Sequence, residues 1–278
     1  MHIDLNGARL FFDVVGPHLM PEGGDMVARQ TLLVLHGGPG YDHSTLRPYF
    51  DRFADAYQVI YLDHRGCGRS SGTQETWHLD QWADDVAHFC NHLGIEKPLV
   101  FGQSFGGMVA MHYAARHPDH PAKLIFSSTA ARFLLDETVA KATQLGGADA
   151  GQVARDFFSA PTLDGYKRYA EVCLPLYNRA PSPDGAAFRS RAIEKPEVAI
   201  HFFANEMKDM DLRPGLAAVP CPTLVLGGAE DPVTPPRCSE EIAAAVGSNA
   251  QLEIWPGCGH GIHRDKPDDA ERLMRAFL

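Results

Sequence analysis

The sequence predicts an α/β fold with a mostly parallel central sheet flanked by helices. Two patterns predict it: short apolar runs alternate with stretches of helical periodicity, and several of these runs are continuous rather than alternating. Continuous runs are typical of strands that are buried on both faces of a parallel sheet. With 278 residues and 45% apolar side chains, the chain is long enough to bury a large core.

The first predicted elements are strands followed by a helix. Residues 3–5 and 10–15 are predicted to pair as a hairpin, because the Asn-Gly dipeptide between them favours a tight turn. Residues 31–35 and 58–62 are continuous apolar runs, and each predicts a buried strand. Residues 79–93 then predict an amphipathic helix, since their apolar side chains recur at helical spacing and fall on one face.

The alternation continues through the rest of the chain with one interruption. The remaining predicted elements are strands over residues 99–101, 124–126, 223–226 and 252–255 and helices over residues 108–116 and 268–278. Between about Thr129 and Arg213 the alternation of predicted strands and helices stops, and the sequence is irregular, helical and rich in aromatic residues.

We predict that this interruption is a helical cap inserted after the sixth strand. The cap is placed at residues 130–212, and residues 1–129 and 213–278 form the core. An insertion at a strand tip lies over the carboxyl ends of the strands, where open α/β sheets bind their ligands. An insertion that packs away from the ligand pocket is the alternative.

Charge and cysteine usage exclude several classes of protein. Lysine and arginine number 25 against 35 aspartates and glutamates, a net charge of −10, so binding to nucleic acid or to an anionic membrane surface has no electrostatic basis. The six cysteines form no C-x-x-C pair, which argues against a disulfide framework and a zinc knuckle. The N-terminus lacks the features of a secretory signal, and no apolar run is long enough to span a membrane. We therefore expect a cytoplasmic protein, and its oligomeric state stays open.

Residues 102–106 (GQSFG) carry the strongest chemical signal. They match G-x-S-x-G and lie between a predicted strand and a predicted helix. A serine on such a sharp turn has a strained backbone and an exposed hydroxyl, and the positions two residues to either side need to lack a Cβ because they crowd each other. Ser104 is thus the candidate nucleophile; an ordinary glycine-rich turn is the alternative.

The serine needs a base to take its proton and an acid to orient that base. In this architecture the acid and then the histidine follow the late strands, which points to Asp231 and His260. Glu230 is the alternative acid and His263 the alternative base. The pair His260-x-x-His263 lacks a third ligand in the sequence, so we expect no metal and no cofactor.

Residues 36–40 (HGGPG) are predicted to form part of an oxyanion hole. Their glycines let the backbone approach a substrate closely, and the proline stiffens the loop. We assign the two donors to the N–H groups of Gly38 and Phe105, with Gly37 as the alternative to Gly38. His36 is interpreted as a structural hydrogen-bonding residue rather than as a base.

Together these segments resemble the α/β-hydrolase superfamily along nearly the whole chain. The combination of HGGPG with residues 63–70 (DHRGCGRS) resembles the prolyl aminopeptidase, or proline iminopeptidase, group of serine peptidases. The resemblance implies the α/β-hydrolase fold, a triad of Ser104, Asp231 and His260, and release of an N-terminal residue, often proline, from small peptides without a metal.

The resemblance also implies that cap carboxylates bind the free α-amino group of the substrate. Residues 200–206 resemble the aromatic-then-acid segment of that family, so Glu206 is the candidate anchor and Phe202 and Phe203 are its aromatic neighbours. A solvated glutamate on a cap helix is the alternative. A carboxylesterase or lactonase acting on small acyl substrates through the same triad is the alternative function, and a ligand receptor that kept the pocket is a third.

Overall fold

The computed structural model describes residues 1–180 and 190–278. Its strands in chain order are β1 (His2–Leu5), β2 (Ala8–Val15), β3 (Leu19–Glu22), β4 (Asp25–Ala28), β5 (Thr31–Leu35), β6 (Gln58–Leu62), β7 (Leu99–Gln103), β8 (Lys123–Ser127), β9 (Thr223–Gly228) and β10 (Ala250–Trp255). Eight of them form one sheet in the order β1-β2-β6-β5-β7-β8-β9-β10, and β3 and β4 pair separately.

The main sheet is mostly parallel, as predicted. Only β1 with β2 and β2 with β6 pair in antiparallel fashion, and every later neighbour is parallel. The carboxyl ends of β5 to β10 therefore meet at one edge of the sheet, where open α/β sheets place their ligand sites. The segments singled out in the sequence follow directly at this edge.

Helices cover the sheet and fill the long connection after its sixth strand. In chain order the α-helices are α1 (Leu79–His92), α2 (Phe105–Arg116), α3 (Leu135–Ser159), α4 (Leu163–Val172), α5 (Pro196–Asn205), α6 (Arg213–Leu216), α7 (Pro236–Val246), α8 (Ile262–Asp265) and α9 (Pro267–Phe277). The connection between β8 and β9 contains α3, α4 and α5. Within the described residues, no helix is both long and apolar enough to cross a lipid bilayer.

Two apolar cores lie on the two faces of the sheet. In β5, Leu33 and Leu35 belong to the core formed with α1 and α2, whereas Leu32 and Val34 belong to the core formed with the 3₁₀ helix Tyr49–Asp55 and with α9. All five side chains of β5 are buried. This two-sided burial is the physical reason for the continuous apolar runs in the sequence.

Two local features differ from the sequence-based expectation. The hairpin of β3 and β4 was not predicted, because its side chains are nearly all exposed and show no burial pattern that a periodicity could reveal. Helix α2 begins at Phe105 rather than at residue 108, since Gly106 and Gly107 interrupt the apolar periodicity without interrupting the helix.

A buried ion pair fixes the loop after β6 to α1. Arg65 Nε lies 2.7 Å from Asp85 Oδ2 and Arg65 Nη2 lies 2.6 Å from Asp85 Oδ1, and both side chains are almost fully buried. Burial raises the pKa of Asp85 above its ordinary value even though the guanidinium acts in the opposite direction. Desolvation is thus the largest influence on the pKa of this carboxylate.

Removing one partner of this pair is expected to destabilise the fold strongly. Asp85→Ala leaves a buried guanidinium without its carboxylate, so the free energy of unfolding should fall by about 3–5 kcal/mol in urea denaturation. The double variant Arg65→Met/Asp85→Leu should cost clearly less, because it removes both charges. Asp84→Ala, which breaks a partly exposed pair with Arg116, is the control and should cost about 1 kcal/mol or less. Equal losses for Asp85→Ala and Asp84→Ala would contradict this account.

Candidate active site

Ser104 occupies a sharp turn between β7 and α2. Its backbone has φ 53° and ψ −122°, a conformation that a residue with a side chain adopts only under strain. Two hydrogen bonds hold the turn: the Ser104 N–H donates to Ser127 O at 3.0 Å, and Thr129 Oγ1 donates to Ser104 O at 2.7 Å. The residue lines a cavity at the carboxyl edge of the sheet.

The glycines of G-x-S-x-G are required by close backbone contacts. A Cβ on Gly102 would lie 2.5 Å from Gly106 O, and a Cβ on Gly106 would lie 2.4 Å from Leu35 O. Both distances are shorter than real Cβ contacts, and the partner atoms belong to the backbone and cannot rotate away. The crowding predicted from the sequence is therefore present, and it includes the neighbouring strand β5 as well.

Asp231 and His260 lie on the loops that follow β9 and β10 and are hydrogen-bonded to each other. His260 Nδ1 lies 2.9 Å from Asp231 Oδ2 and 3.1 Å from Oδ1, and Asp231 is fully buried. The carboxylate also accepts the N–H groups of Val233 and Thr234 at 2.8 and 2.9 Å and the Thr234 hydroxyl at 2.8 Å. Because Nδ1 donates to a carboxylate, Nε2 is the nitrogen that carries the lone pair.

Ser104 and His260 line the same cavity. Within the described residues, no hydrogen bond joins the Ser104 hydroxyl to the imidazole in this structure. In free enzymes such catalytic contacts are often long and tighten only when substrate binds. The arrangement therefore brings the nucleophile candidate and the base candidate to one site, with one hydrogen bond of the candidate triad formed.

The HGGPG loop lies directly against the serine. A Cβ on Gly37 would lie 3.2 Å from Ser104 Cβ and 3.8 Å from its Oγ, and Gly37, Gly38 and Phe105 all line the cavity. Phe105 is the first residue of α2, so its N–H has no acceptor within the helix. These three residues border the cavity that Ser104 lines, and their backbone N–H groups are the candidate donors to an oxyanion there.

His36 connects the HGGPG loop to the loop that follows β6. Its Nδ1 lies 2.7 Å from Gly37 O, and its Nε2 accepts the His64 N–H at 3.1 Å. Burial lowers the pKa of His36, which keeps the ring neutral and able to accept through Nε2. The interpretation of His36 as a structural residue agrees with these contacts.

The cavity has a volume of about 420 Å³, and its lining is mainly apolar, with many aromatic side chains. Much of its wall comes from the segment between β8 and β9, which contributes the aromatic residues Phe133, Phe157, Phe158, Tyr166, Tyr169, Tyr177, Phe202 and Phe203. Four arginines also line it: Arg47, Arg52, Arg191 and Arg264. Among the described residues, none that lines the cavity carries a carboxylate.

Two residues connect the segment between β8 and β9 with the histidine loop. Tyr177 O accepts the His260 N–H at 2.6 Å, and the Tyr177 ring meets the imidazole edge-on at 4.8 Å between centroids. Asp265 Oδ1 accepts the N–H groups of Arg179 and Ala180, each at 2.8 Å, and its Oδ2 accepts the Gly259 N–H at 2.7 Å. Sequence reasoning missed Asp265, whose only signal was its position five residues after His260.

The candidate substrate residues separate into two groups. Phe202 and Phe203 line the cavity, as expected for substrate contacts. Glu206 lies one turn further along, outside the residues that line the cavity, and its Oε2 accepts the Leu79 N–H at the start of α1 at 3.2 Å. The structure therefore does not bring Glu206 to the cavity wall together with the two phenylalanines.

The two alternative triad residues have other contacts. Glu230 Oε2 accepts the Cys258 N–H at 3.1 Å and so holds the histidine loop. His263 is buried in the cavity wall, where its ring contacts Tyr49 and Phe50 at centroid distances of 5.1 and 5.7 Å. The structure pairs Asp231, rather than Glu230, with His260.

One cluster among the described residues has the geometry to hold a metal ion. Ligand atoms of Asp42, His43 and Asp63 lie within 4.8 Å of one another. Asp63 already accepts the N–H groups of His43 and Arg69 at 2.9 Å each and His43 Nδ1 at 2.6 Å, and the Arg69 guanidinium lies 2.6 Å from Asp42 Oδ2. A cation would have to compete with this guanidinium, so the cluster fits a network that holds the turn after β6.

Comparison with known proteins agrees with this architecture. A family model described as alpha/beta hydrolase fold matches residues 30–267. The proline iminopeptidase PfmaB of Pestalotiopsis fici is 26% identical over 99% of this chain and 98% of its own length. A putative carbamate hydrolase, RutD of Caulobacter sp., is 28% identical over 92% of this chain and 93% of its own.

Solved structures share the same fold. The crystal structure of proline iminopeptidase from Mycobacterium smegmatis superposes with a TM-score of 0.77 and covers 100% of this chain and 96% of its own. Its sequence identity of 22% makes this a similarity of fold alone.

Proposed function

Because this chain belongs to the alpha/beta hydrolase fold family, we propose that it is a serine hydrolase that cleaves carboxylic esters or lactones through an acyl-enzyme. One observation carries the proposal: the buried Asp231–His260 pair and the strained Ser104 turn meet at one aromatic cavity. A hydroxyl, a base and an orienting carboxylate are the three parts that activate a serine.

The proposed reaction proceeds in two steps at Ser104. The hydroxyl attacks the acyl carbonyl while His260 Nε2 takes its proton, and Asp231 stabilises the imidazolium that forms. The N–H groups of Gly38, or alternatively Gly37, and of Phe105 bind the oxyanion, and each such donor contributes about 3–4 kcal/mol in well-studied hydrolases. His260 then gives the proton to the leaving alcohol, and water releases the acyl group by the same steps.

The preference for an ester or lactone follows from what surrounds the serine. An aminopeptidase has to bind the ammonium group of its substrate, and a desolvated ammonium needs a carboxylate partner. The described cavity wall offers aromatic rings and guanidinium groups instead. We also assign residues 130–212 as a cap over this cavity, on the support of the eight aromatic side chains that this segment contributes to the wall.

An aminopeptidase is the second candidate. It is supported by the likeness to a proline iminopeptidase along nearly the whole chain. Glu194 supports it too, because this carboxylate is partly buried near Tyr166 of the cavity wall, and burial raises its pKa. A substrate ammonium that displaced the tyrosine hydroxyl would reach that carboxylate.

A parallel substrate panel tests the two candidates. We expect kcat/KM for nitrophenyl acyl esters and small lactones to exceed that for prolyl and alanyl arylamides by about 100-fold or more, because a desolvated ammonium without a partner costs several kcal/mol. Glu206→Gln and Glu194→Gln should leave the ester rate unchanged. A preference for the arylamides that either variant abolishes would establish the aminopeptidase instead.

A further inference from the structure

We propose that Thr129 is a positioning residue for the oxyanion site: its hydroxyl orients and polarises the peptide group that joins Ser104 to Phe105. This inference rests on the proposed function, because the Phe105 N–H affects the reaction only if an oxyanion forms at Ser104. Thr129 is not a member of the candidate triad, and it lies outside the described residues that line the cavity. It therefore acts on the reaction only through the backbone of Ser104.

The carbonyl oxygen of Ser104 and the N–H of Phe105 belong to the same peptide group. This peptide group is planar and trans, so its C=O and its N–H point in opposite directions. An interaction that fixes the direction of the Ser104 carbonyl thus also fixes the direction in which Phe105 donates. That direction affects catalysis, because an oxyanion donor has to point at the position that the oxyanion will occupy.

Three donors converge on the carbonyl oxygen of Ser104. The N–H groups of Gly107 and Met108 lie 2.9 and 3.1 Å from it, and the Thr129 hydroxyl lies 2.7 Å from it. The contact with Thr129 is the shortest of the three, and it comes from outside α2. Hydrogen bonds to a carbonyl oxygen polarise the whole peptide group, so the N–H of the same group becomes a stronger donor.

The chain after β8 holds Thr129 at the nucleophile turn. Thr129 is 1% exposed, and Ser128 before it has φ 45°, a left-handed conformation that costs a serine free energy. The Ser128 N–H donates to Leu226 O of β9 at 2.8 Å, so the neighbouring strand helps to keep this conformation. Backbone strain of this kind concentrates at functional sites, where the surrounding structure enforces it.

Helix α2 leaves room for the threonine side chain at Gly107. A Cβ on Gly107 would lie 2.6 Å from both Cβ and Oγ1 of Thr129, which is shorter than real Cβ contacts. A glycine in a helix destabilises it relative to alanine, so a glycine in the first turn of α2 calls for a reason. The close approach of Thr129 to the helix provides that reason.

The variant Thr129→Val tests the proposal, because it keeps the branched shape of the side chain and replaces the hydroxyl with a methyl group. We expect kcat on the best ester of the panel to fall about tenfold with KM within about twofold of wild type, since the lost interaction acts on the oxyanion. Thr129→Ser restores the hydroxyl and should return kcat to within about threefold of wild type. Wild-type kcat in Thr129→Val would overturn the proposal.

An oxyanion analogue distinguishes this role from a merely structural one. The Ser104 oxygen adds to the carbonyl carbon of a trifluoromethyl ketone, and the ketone oxygen becomes an oxyanion. The inhibition constant should therefore rise in Thr129→Val by the factor by which kcat/KM falls. A loss of turnover with unchanged inhibition would overturn the proposal. A shifted pH profile of kcat/KM would also overturn it, because the effect would then lie at His260.

The matched control is Thr223→Val. Thr223 is a fully buried threonine at the amino end of β9, and its hydroxyl donates to Cys221 O at 3.2 Å. This variant also loses a buried hydrogen bond to a backbone carbonyl, so it should lower Tm about as much as Thr129→Val does. Its kcat and its inhibition by the ketone should stay at wild-type values. An equal loss of kcat in both variants would contradict a specific role for Thr129.

Labelling by a fluorophosphonate separates failure of this inference from failure of the proposed function. We expect Ser104 to be labelled in wild type and to be labelled about tenfold more slowly in Thr129→Val, since the reaction at phosphorus also develops charge on an oxygen. Labelling at equal rates in the two proteins would refute the inference alone. A wild-type protein that is not labelled at Ser104 would refute the proposed function and the inference with it.

Discussion

Ser104→Ala is expected to lower kcat by about 10⁴–10⁶-fold on the best substrate of the panel, as loss of the nucleophile does in serine hydrolases. The fold should survive, because the strain of the turn lies in the backbone, and the turn is held by hydrogen bonds to Ser104 N and Ser104 O. Alanine keeps both groups. Steady-state kinetics and labelling by a fluorophosphonate, which should disappear in the variant, measure the effect.

The matched control for this prediction is Ser248→Ala. Ser248 is an exposed serine in the 3₁₀ turn at the amino end of β10, whereas the cavity loops follow the carboxyl ends of the strands. It should retain wild-type kcat and fluorophosphonate labelling, so a loss in both variants would point to impure or unfolded protein. Near-full turnover by Ser104→Ala would exclude the acyl-enzyme.

Asp231→Asn is expected to lower kcat by about 10³–10⁴-fold, because it imposes the wrong imidazole tautomer. Asp231 Oδ1 accepts the backbone N–H groups of Val233 and Thr234, so the amide oxygen of an asparagine has to take that position. Its NH₂ group then occupies the Oδ2 position, 2.9 Å from His260 Nδ1. It would donate to Nδ1, place the proton on Nε2 and leave no lone pair to accept the serine proton.

Glu230→Gln is the control that distinguishes the two neighbouring acids. Its side chain accepts one backbone N–H, from Cys258, and a glutamine carbonyl can accept the same bond. We expect kcat within about threefold of wild type and a small change in Tm, since the lost charge-assisted bond is partly exposed. The reverse outcome, with Glu230→Gln inactive and Asp231→Asn active, would transfer the role of the acid to Glu230.

The parts of this site that were predictable from the sequence are those fixed by local rules. The G-x-S-x-G turn follows from a backbone clash between residues four apart, and the positions of Asp231 and His260 follow from loops after parallel strands that end at one edge. Continuous apolar runs likewise predicted β5 to β9, because a strand that is buried on both faces needs an apolar side chain at nearly every position.

The parts that were not predictable depend on contacts between distant segments. Asp265 joins residues 179 and 180 to Gly259, and no local pattern distinguishes its carboxylate from other acids near the C-terminus. The expected role of Glu206 rested on its place in a segment, whereas its side chain lies against the start of α1 instead of in the cavity. Helical spacing gives the face of a helix, but the partner of each side chain depends on tertiary packing.

The carboxylate of Asp265 joins two segments that lie far apart in the sequence. It receives hydrogen bonds from both sides, two from the chain at residues 179–180 and one from the loop that carries His260. A displacement of residues 179–180 that moves this carboxylate would therefore also act on the loop of the proposed base.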